Sequence, residues 1–561
     1  MAGNTLTGVG VGRGVVLGPI AVARPAITLP AHEDPVAPGD SAAVARVKAA
    51  FSAVAADLQA RADSAEGTLA EVLGATAQMA EDPALIGDVE QRLASGTGPA
   101  HAVSEAVEQV CEMFAAVGGY MAERVTDLRS VKDRVIARVL DAPEPGLGEL
   151  TAPSVVVAED LSPADTSALD LSKVLGIVTE QGGPTGHTAI IAGQLGLPCI
   201  VRVPGVTELA AGTVVVVDAA ASTVTVDPDQ ALIQEVADRR AAAERLTEDT
   251  EPGATSDGHR VQLLANIGTA ADAERAAATA VEGVGLFRTE VLFLEQQTAP
   301  TVEEQVATYT AVLRSFAGRK VVVRTIDAGA DKPLAFAQQS VEENPALGVR
   351  GYRLVRTLPQ LLADQLTALG RAQQETGAEL WVMAPMIATP TEAADFAAAA
   401  REAGLRTVGV MVEVPAVALR CADVLADVDF VSLGTNDLAQ YTMATDRLRG
   451  ELSDLLDPWQ PAVLDLVAAT AEGGKVTGKP VGVCGESASD PLMALVLTGL
   501  GVTSLSMSPS AVPAVRAAVR GHSLARCQEI AAAARAARTA PEARAAALEL
   551  TDPQVKQLLG L

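Results

Sequence analysis

His187 lies in the run Gly182-Gly183-Pro184-Thr185-Gly186-His187-Thr188-Ala189-Ile190-Ile191-Ala192, between a glycine-rich turn and what reads as the first turn of an amphipathic helix. Unpaired backbone N–H groups at a helix start point at an anion, and the helix dipole favours negative charge there, so a phosphoryl group is well accommodated. Neutral imidazole, with an ordinary pKa of about 6.5, exposes a lone pair near neutral pH without a separate base. The segment therefore fits a histidine that carries a phosphate, and it also fits one that only closes a loop. A second set of chemistry-bearing residues stands in the C-terminal half. Arg288-Thr289-Glu290 follow one apolar run, Arg324-Thr325-Ile326-Asp327 end the next, and Arg350 stands in Gly348-Val349-Arg350-Gly351. Later runs are followed by Glu413-Val414-Pro415, by Gly434-Thr435-Asn436-Asp437-Leu438 with Asp446-Arg447 beyond it, and by Cys484-Gly485-Glu486. Guanidinium forks match phosphate and carboxylate oxygens in pairs, which lysine does not, so arginines drawn from several places point to a doubly anionic ligand. Glu413 and Asp437 suit Mg²⁺, which takes one or two protein carboxylates and completes its octahedron with substrate oxygens and water. Cys484 is open to two readings, an inert buried thiol or a proton-transfer group.

These residues meet only if the chain folds them together. Eight apolar runs carry them: 261–265, 283–287, 320–324, 380–384, 408–412, 430–433, 481–484 and 504–507. Most are separated by alanine-rich helical stretches, a pattern that predicts a (β/α)₈ barrel with its active site at the C-terminal strand ends. An open doubly wound sheet is the alternative. Upstream, residues 5–23 read as two brief strands around a turn, and further strand signals fall at 154–158, 174–178, 214–217 and 224–226. Between them, residues 41–141 show helical periodicity broken at Glu66-Gly67, Glu81-Asp82-Pro83 and Gly96-Thr97-Gly98-Pro99. The expected organisation is a discontinuous α/β domain of residues 1–30 and 146–228, a helical insertion at 31–145, a charged helical linker at 229–257 and a barrel at 258–561.

Bulk composition agrees with a multidomain α/β protein. A chain of 561 residues is too long for one core, and its 49% apolar content suffices to fill several. The formal net charge of -28 disfavours nucleic acid or an anionic membrane as the main partner, so an anionic substrate needs a local arginine cluster. Cys111, Cys199, Cys421, Cys484 and Cys527 are scattered without a Cys-x-x-Cys pair, and suggest neither a zinc site nor a disulfide framework. With no charged-then-apolar leader and no apolar run of about 20 residues, a cytoplasmic location without direct membrane insertion is expected.

The chain resembles the Enzyme I family of the bacterial sugar phosphotransferase system, the phosphoenolpyruvate-protein phosphotransferases. The resemblance spans essentially the whole chain. It rests on the segments 182–188, Gly285-Leu286-Phe287-Arg288-Thr289-Glu290, Asn344-Pro345-Ala346-Leu347-Gly348-Val349-Arg350, Gly434-Thr435-Asn436-Asp437-Leu438-Ala439-Gln440-Tyr441 and Cys484-Gly485-Glu486. It implies a small swivelling phosphohistidine domain with an inserted helical bundle, followed by a TIM barrel. His187 would take the phosphoryl group of phosphoenolpyruvate and pass it to a histidine of the phosphocarrier HPr. Mg²⁺ would be held by Glu413 and Asp437, and phosphoenolpyruvate by Arg288, Arg324, Arg350, Asn436 and Arg447. Cys484 would correspond to the acid that protonates the enolate carbon, and Thr166 to a position lining the histidine pocket. The resemblance further implies that the helical insertion docks HPr and that the barrel carries a homodimer interface. One departure stands after Asp446-Arg447, where the family has glycine then asparagine and this chain has Leu448-Arg449. The competing readings are a pyruvate phosphate dikinase or phosphoenolpyruvate synthase, which would place a nucleotide-binding domain ahead of the histidine domain, and a non-catalytic regulatory paralogue.

Overall fold

A computed structural model describes residues 4–11, 14–24, 27–33, 36–37, 40–64, 68–117, 124–147, 150–161, 165, 173–183, 188–189, 192, 197–294, 296, 298–329, 334, 336, 342–447 and 450–561. The chain divides into two compact units, Met1–Arg240 and Ala241–Leu561.

The first unit is built on an eight-stranded sheet of order β1-β8-β7-β3-β4-β5-β6-β2. Its strands are β1 Thr5–Thr7, β2 Val9–Val11, β3 Val15–Val22, β4 Ser154–Ala158, β5 Val174–Thr179, β6 Cys199–Val201, β7 Val214–Asp218 and β8 Thr223–Val226. Strands β3 to β6 run parallel, and β7, β8, β1 and β2 add antiparallel edges. The stretch expected to hold two strands holds three, and β6 was not foreseen: three residues behind Pro198 are too few to show a period. Two apolar clusters, one around Val155, Val157 and Val215 and one around Val156, Ile177 and Val201, cover opposite sheet faces because successive strand side chains alternate.

Into this sheet is inserted a bundle of helices, Ser41–Ser64, Thr68–Ala80, Pro83–Ala94, Pro99–Val117 and Val125–Val139. The foreseen break at Glu81-Asp82-Pro83 has a local cause. Asp82 accepts from the Ala84 and Leu85 N–H groups at 2.7 and 3.0 Å, with proline in the first turn, a cap that stabilises a helix start by about 1 kcal/mol. Glu33 caps Pro99–Val117 in the same way, accepting from the Ala100 and His101 N–H groups at 2.9 and 3.1 Å. Phe51, Leu73, Val103 and Val135 fill the bundle core.

Helix Gln230–Glu248 carries the chain across the unit boundary. The second unit is a closed barrel of parallel strands, ordered β10-β11-β12-β13-β14-β15-β16-β9. They are β9 Gln262–Ile267, β10 Gly283–Arg288, β11 Lys320–Arg324, β12 Leu380–Ala384, β13 Thr407–Val412, β14 Phe430–Leu433, β15 Val481–Val483 and β16 Ser504–Met507. All eight foreseen runs form strands, and closure excludes the open sheet. Alternation sorts their side chains: Val321, Val323, Val382 and Val410 pack outward in the large core, whereas Leu286, Val322, Met383, Met411, Phe430 and Cys484 form a separate inner cluster. On β11 the same rule places Lys320, Val322 and Arg324 on one face, so lysine marks one end of the barrel interior and arginine the other. Lys320 Nζ donates to Gln262 Oε1 at 2.5 Å and lies 4.5 Å from the centre of the Trp381 ring. No helix among the described residues is long and apolar enough to cross a membrane.

Candidate active site

Strand register begins the site. Parallel pairing of β10 with β11 sets Arg288 opposite Arg324 at the C-terminal ends, so two guanidinium groups from neighbouring strands share one rim. Arg288 is exposed there, and Arg324 is buried. Arg324 pairs with Glu290, two residues beyond β10, and its Nη1 lies 3.0 Å from Asp327 Oδ2. Asp327 also accepts from Arg350 Nη2 at 3.0 Å, and Arg350 Nη1 donates to Asp437 Oδ1, 87 positions along the chain, at 3.0 Å. Arg447 Nη1 completes the rim 3.7 Å from Asp437 Oδ2. Tyr441 Oη accepts from Arg350 Nη1 at 3.4 Å and donates to the Ala346 carbonyl.

Asn436 and Asp437 stand on the first turn of helix Thr435–Thr442, directly after β14. Asn436 Oδ1 accepts from the Glu486 N–H at 3.0 Å, which ties the loop after β14 to the loop after β15. Glu413, one residue beyond β13, is 1% exposed, and its Oε2 accepts from the Met386 N–H at 2.9 Å. Met386 holds a left-handed φ of 58°, a conformation that costs a non-glycine residue about 1 kcal/mol or more and that clusters at working sites. Gly434 faces Glu413 so closely that a Cβ there would lie 2.7 Å from Glu413 Oε1; the carboxylate occupies the space a side chain would take.

Electrostatics tie these groups into one set. Burial, then Asp437 and Asp327, push the Glu413 carboxyl up to about 8, against the opposing pull of Arg324 and the Met386 N–H. Burial and Glu413 likewise push the Cys484 thiol up to about 11, partly offset by its bond with Ser432 and by Arg324 and Arg288. Cys484 thus stays a protonated thiol at neutral pH, beneath the rim in the inner cluster. Arg324 Nε and Glu290 Oε2 are buried polar atoms without a hydrogen-bond partner among the described residues, so the rim keeps one unused donor inside it.

His187, Thr166, Leu448 and Arg449 lie outside the described residues. Around the glycine-rich segment, Gly182 takes a left-handed φ of 89°, which its lack of a Cβ permits, and its carbonyl accepts from Arg202 Nε at 2.9 Å. Thr188, buried, donates to the Leu161 carbonyl at 3.1 Å. The segment leaves the C-terminal end of β5, next to parallel β4 and β6, the edge where open α/β sheets hold ligands.

The structure therefore brings Arg288, Arg324, Arg350, Arg447, Asn436, Asp437, Glu413 and Cys484 to one end of the barrel. Sequence reading passed over Asp327 and Glu290 as partners of the arginines, Tyr441 as a tether, and Arg202. Asp327 carried a signal, since an acid three residues after a strand-end arginine is placed to pair with it. Arg202 carried none.

Three family models match: PEP-utilising enzyme, N-terminal, over residues 7–124; PEP-utilising enzyme, mobile domain, over 150–222; and PEP-utilising enzyme, PEP-binding domain, over 242–524. A phosphoenolpyruvate-protein phosphotransferase of Streptomyces coelicolor is 51% identical over 550 residues, covering 97% of this chain and 98% of that protein. The corresponding protein of Haloferax volcanii is 42% identical, covering 80% of this chain and 81% of its own length. A multiphosphoryl transfer protein of Xanthomonas campestris is 39% identical over 96% of this chain and 66% of its own.

Proposed function

The chain belongs to the phosphoenolpyruvate-protein phosphotransferases, and from that activity we propose that His187 is the phosphoryl acceptor, with HPr as the protein that next receives the group. The single observation that carries the barrel's part is the paired rim of Arg288 and Arg324 with Arg350 beside them, above a protonated Cys484. Arg288, Arg324, Arg350 and Arg447 hold the phosphate and carboxylate of phosphoenolpyruvate, with the Arg324 Nε donor taking one substrate oxygen. Asn436, whose Oδ1 takes the Glu486 N–H and so ties the loops after β14 and β15 together, helps to bind the substrate. His187 attacks phosphorus in line, the bond from phosphorus to the enol oxygen breaks, and the enolate carbon takes its proton from the Cys484 thiol, giving pyruvate.

Glu413 and Asp437 fit a divalent cation. Burial first, and then the nearby Asp437 and Asp327 carboxylates, raise the Glu413 carboxyl, and a cation held there would favour its charged form. Mg²⁺ fits two protein carboxylates because it keeps substrate oxygens and water in the rest of its shell. When bound, Mg²⁺ neutralises charge on the transferring phosphoryl group. Because Glu413 is protonated below about 8, cation binding expels a proton. Titration with Mn²⁺ as a spectroscopic stand-in should show affinity rising by up to about tenfold per pH unit from pH 6.5 and levelling above pH 8; a flat profile would remove Glu413 from the ligand set. The sign for folding is the opposite. A carboxyl raised above its unfolded value makes the cation-free protein lose stability as pH rises from about 4.5 through about 8.

The helical insertion is the HPr-docking part, the charged helix Gln230–Glu248 is the swivel, and the barrel carries a homodimer interface, in a cytoplasmic enzyme. These assignments rest on the family. Incubation with phosphorus-labelled phosphoenolpyruvate and Mg²⁺ tests the reading. An acid-labile, base-stable label with equivalent pyruvate release, passing to added HPr, is expected; labelling only from ATP would favour the dikinase alternative, and no labelling would favour the regulatory one.

A further inference from the structure

Behind the arginine rim lies a buried hydrogen-bond chain that ends on the Arg324 carbonyl. Gln365, on helix Pro359–Thr376, is 0% exposed. Its Nε2 donates to Thr289 Oγ1 and to Tyr309 Oη, each at 3.0 Å, and its Oε1 accepts from the Ile326 N–H at 2.9 Å. Thr289, also fully buried, donates its hydroxyl to the Arg324 carbonyl at 2.8 Å. Tyr309 donates onward to Gln305 Oε1 at 3.1 Å, and Gln305 Nε2 to the Pro300 carbonyl at 3.1 Å. The direction of the chain is fixed. A backbone N–H only donates, so the Gln365 carbonyl must face Ile326 and its amide must face the two hydroxyls.

The anchored points are the strand ends themselves. β10 stops at Arg288 and β11 at Arg324, beyond which the barrel ladder holds the backbone less. Thr289 lies between Arg288 and Glu290, and Ile326 lies next to Asp327. One amide therefore grips both segments that carry the rim. Burying so many polar side chains stabilises a fold little compared with an apolar core, but it fixes geometry.

We propose that Gln365 is a positioning residue for phosphoenolpyruvate: its amide locks the ends of β10 and β11 so that Arg288 and Arg324 present their guanidinium groups in one register. This rests on the reading that these arginines bind phosphoenolpyruvate, and the experiment separates the two. Rates of labelling by phosphoenolpyruvate are measured over a range of concentrations in the full chain and its variants. Gln365→Met and the isosteric Gln365→Glu, whose carboxylate draws the Thr289 hydroxyl away from the Arg324 carbonyl, should each raise the half-saturating concentration about tenfold or more, with a smaller fall in the saturating rate. Thr289→Val should match them, and Thr289→Ser, which keeps the hydroxyl, should recover most of the wild-type value.

Gln373→Met is the control. Gln373 is buried on the same helix, but its Nε2 donates at 3.3 Å to the carbonyl of Leu380, at the start of β12, so this variant should lower stability and leave half-saturation unchanged. A Gln373→Met effect equal to that of Gln365→Met, or wild-type half-saturation in Gln365→Glu and Thr289→Val, overturns the proposal. Unchanged half-saturation in Arg324→Lys overturns instead the placement of phosphoenolpyruvate at the rim.

Discussion

His187→Ala is expected to abolish the acid-labile label formed from phosphoenolpyruvate, a loss of at least about 10⁴-fold, while binding of phosphoenolpyruvate to the barrel stays within about threefold of wild type. The split follows from the proposed division of labour: His187, the proposed nucleophile, belongs to the first unit and the arginines to the second. Substitution removes the acceptor and leaves every guanidinium in place. Two of the other four histidines are already engaged. His522 is 2% exposed and has both ring nitrogens engaged, Nδ1 with the Ala518 carbonyl at 2.8 Å and Nε2 with the Asp552 N–H at 2.9 Å. His101 pairs through Nδ1 with Glu33 at 2.9 Å. Persistent label on the alanine variant, mapped by peptide analysis to any other residue, would refute His187 as the acceptor.

Asp327→Asn should be the most damaging single change in the barrel rim. Asp327 is 1% exposed and lies between two buried arginines, 3.0 Å from Arg324 Nη1 and 3.0 Å from Arg350 Nη2. An asparagine removes the charge that both cations face and turns an N–H₂ group toward one of them. Arg324 keeps Glu290 and Arg350 keeps Asp437, but both lose a buried partner at once, a cost of about 3 kcal/mol, so the barrel's unfolding transition should fall by several degrees. Misplaced guanidinium groups should also lower the efficiency of labelling about 100-fold. Denaturant unfolding within about 0.5 kcal/mol of wild type would show that Asp327 is not the centre of the network.

Much of this was legible along the chain, for identifiable reasons. Buried parallel strands read as short continuous apolar runs, so all eight barrel strands stood out, and strand ends told where Arg288, Arg324, Glu413 and Cys484 would emerge. The helical bundle announced its breaks through residues such as Asp82 and Pro83 that cap as well as interrupt. Strand β6 escaped because Cys199–Val201 is shorter than any period that could reveal it. Gln365 escaped because a glutamine in mid-helix has no motif around it, and its partners Thr289 and Ile326 are on other strand ends.

The sequence by itself determined which residue types were available, in what order, and on which kind of element: a histidine after a glycine-rich turn, and arginines, acids and a cysteine at the ends of strands. Only the tertiary structure decided which of them meet. Parallel register set Arg288 opposite Arg324, closure of the barrel brought Arg350 to Asp437, and burial raised the Glu413 carboxyl and the Cys484 thiol above their ordinary values. The physical reason is that type and period are local properties of a chain, whereas contact, desolvation and charge coupling depend on neighbours far away in sequence and so exist only once the fold has closed.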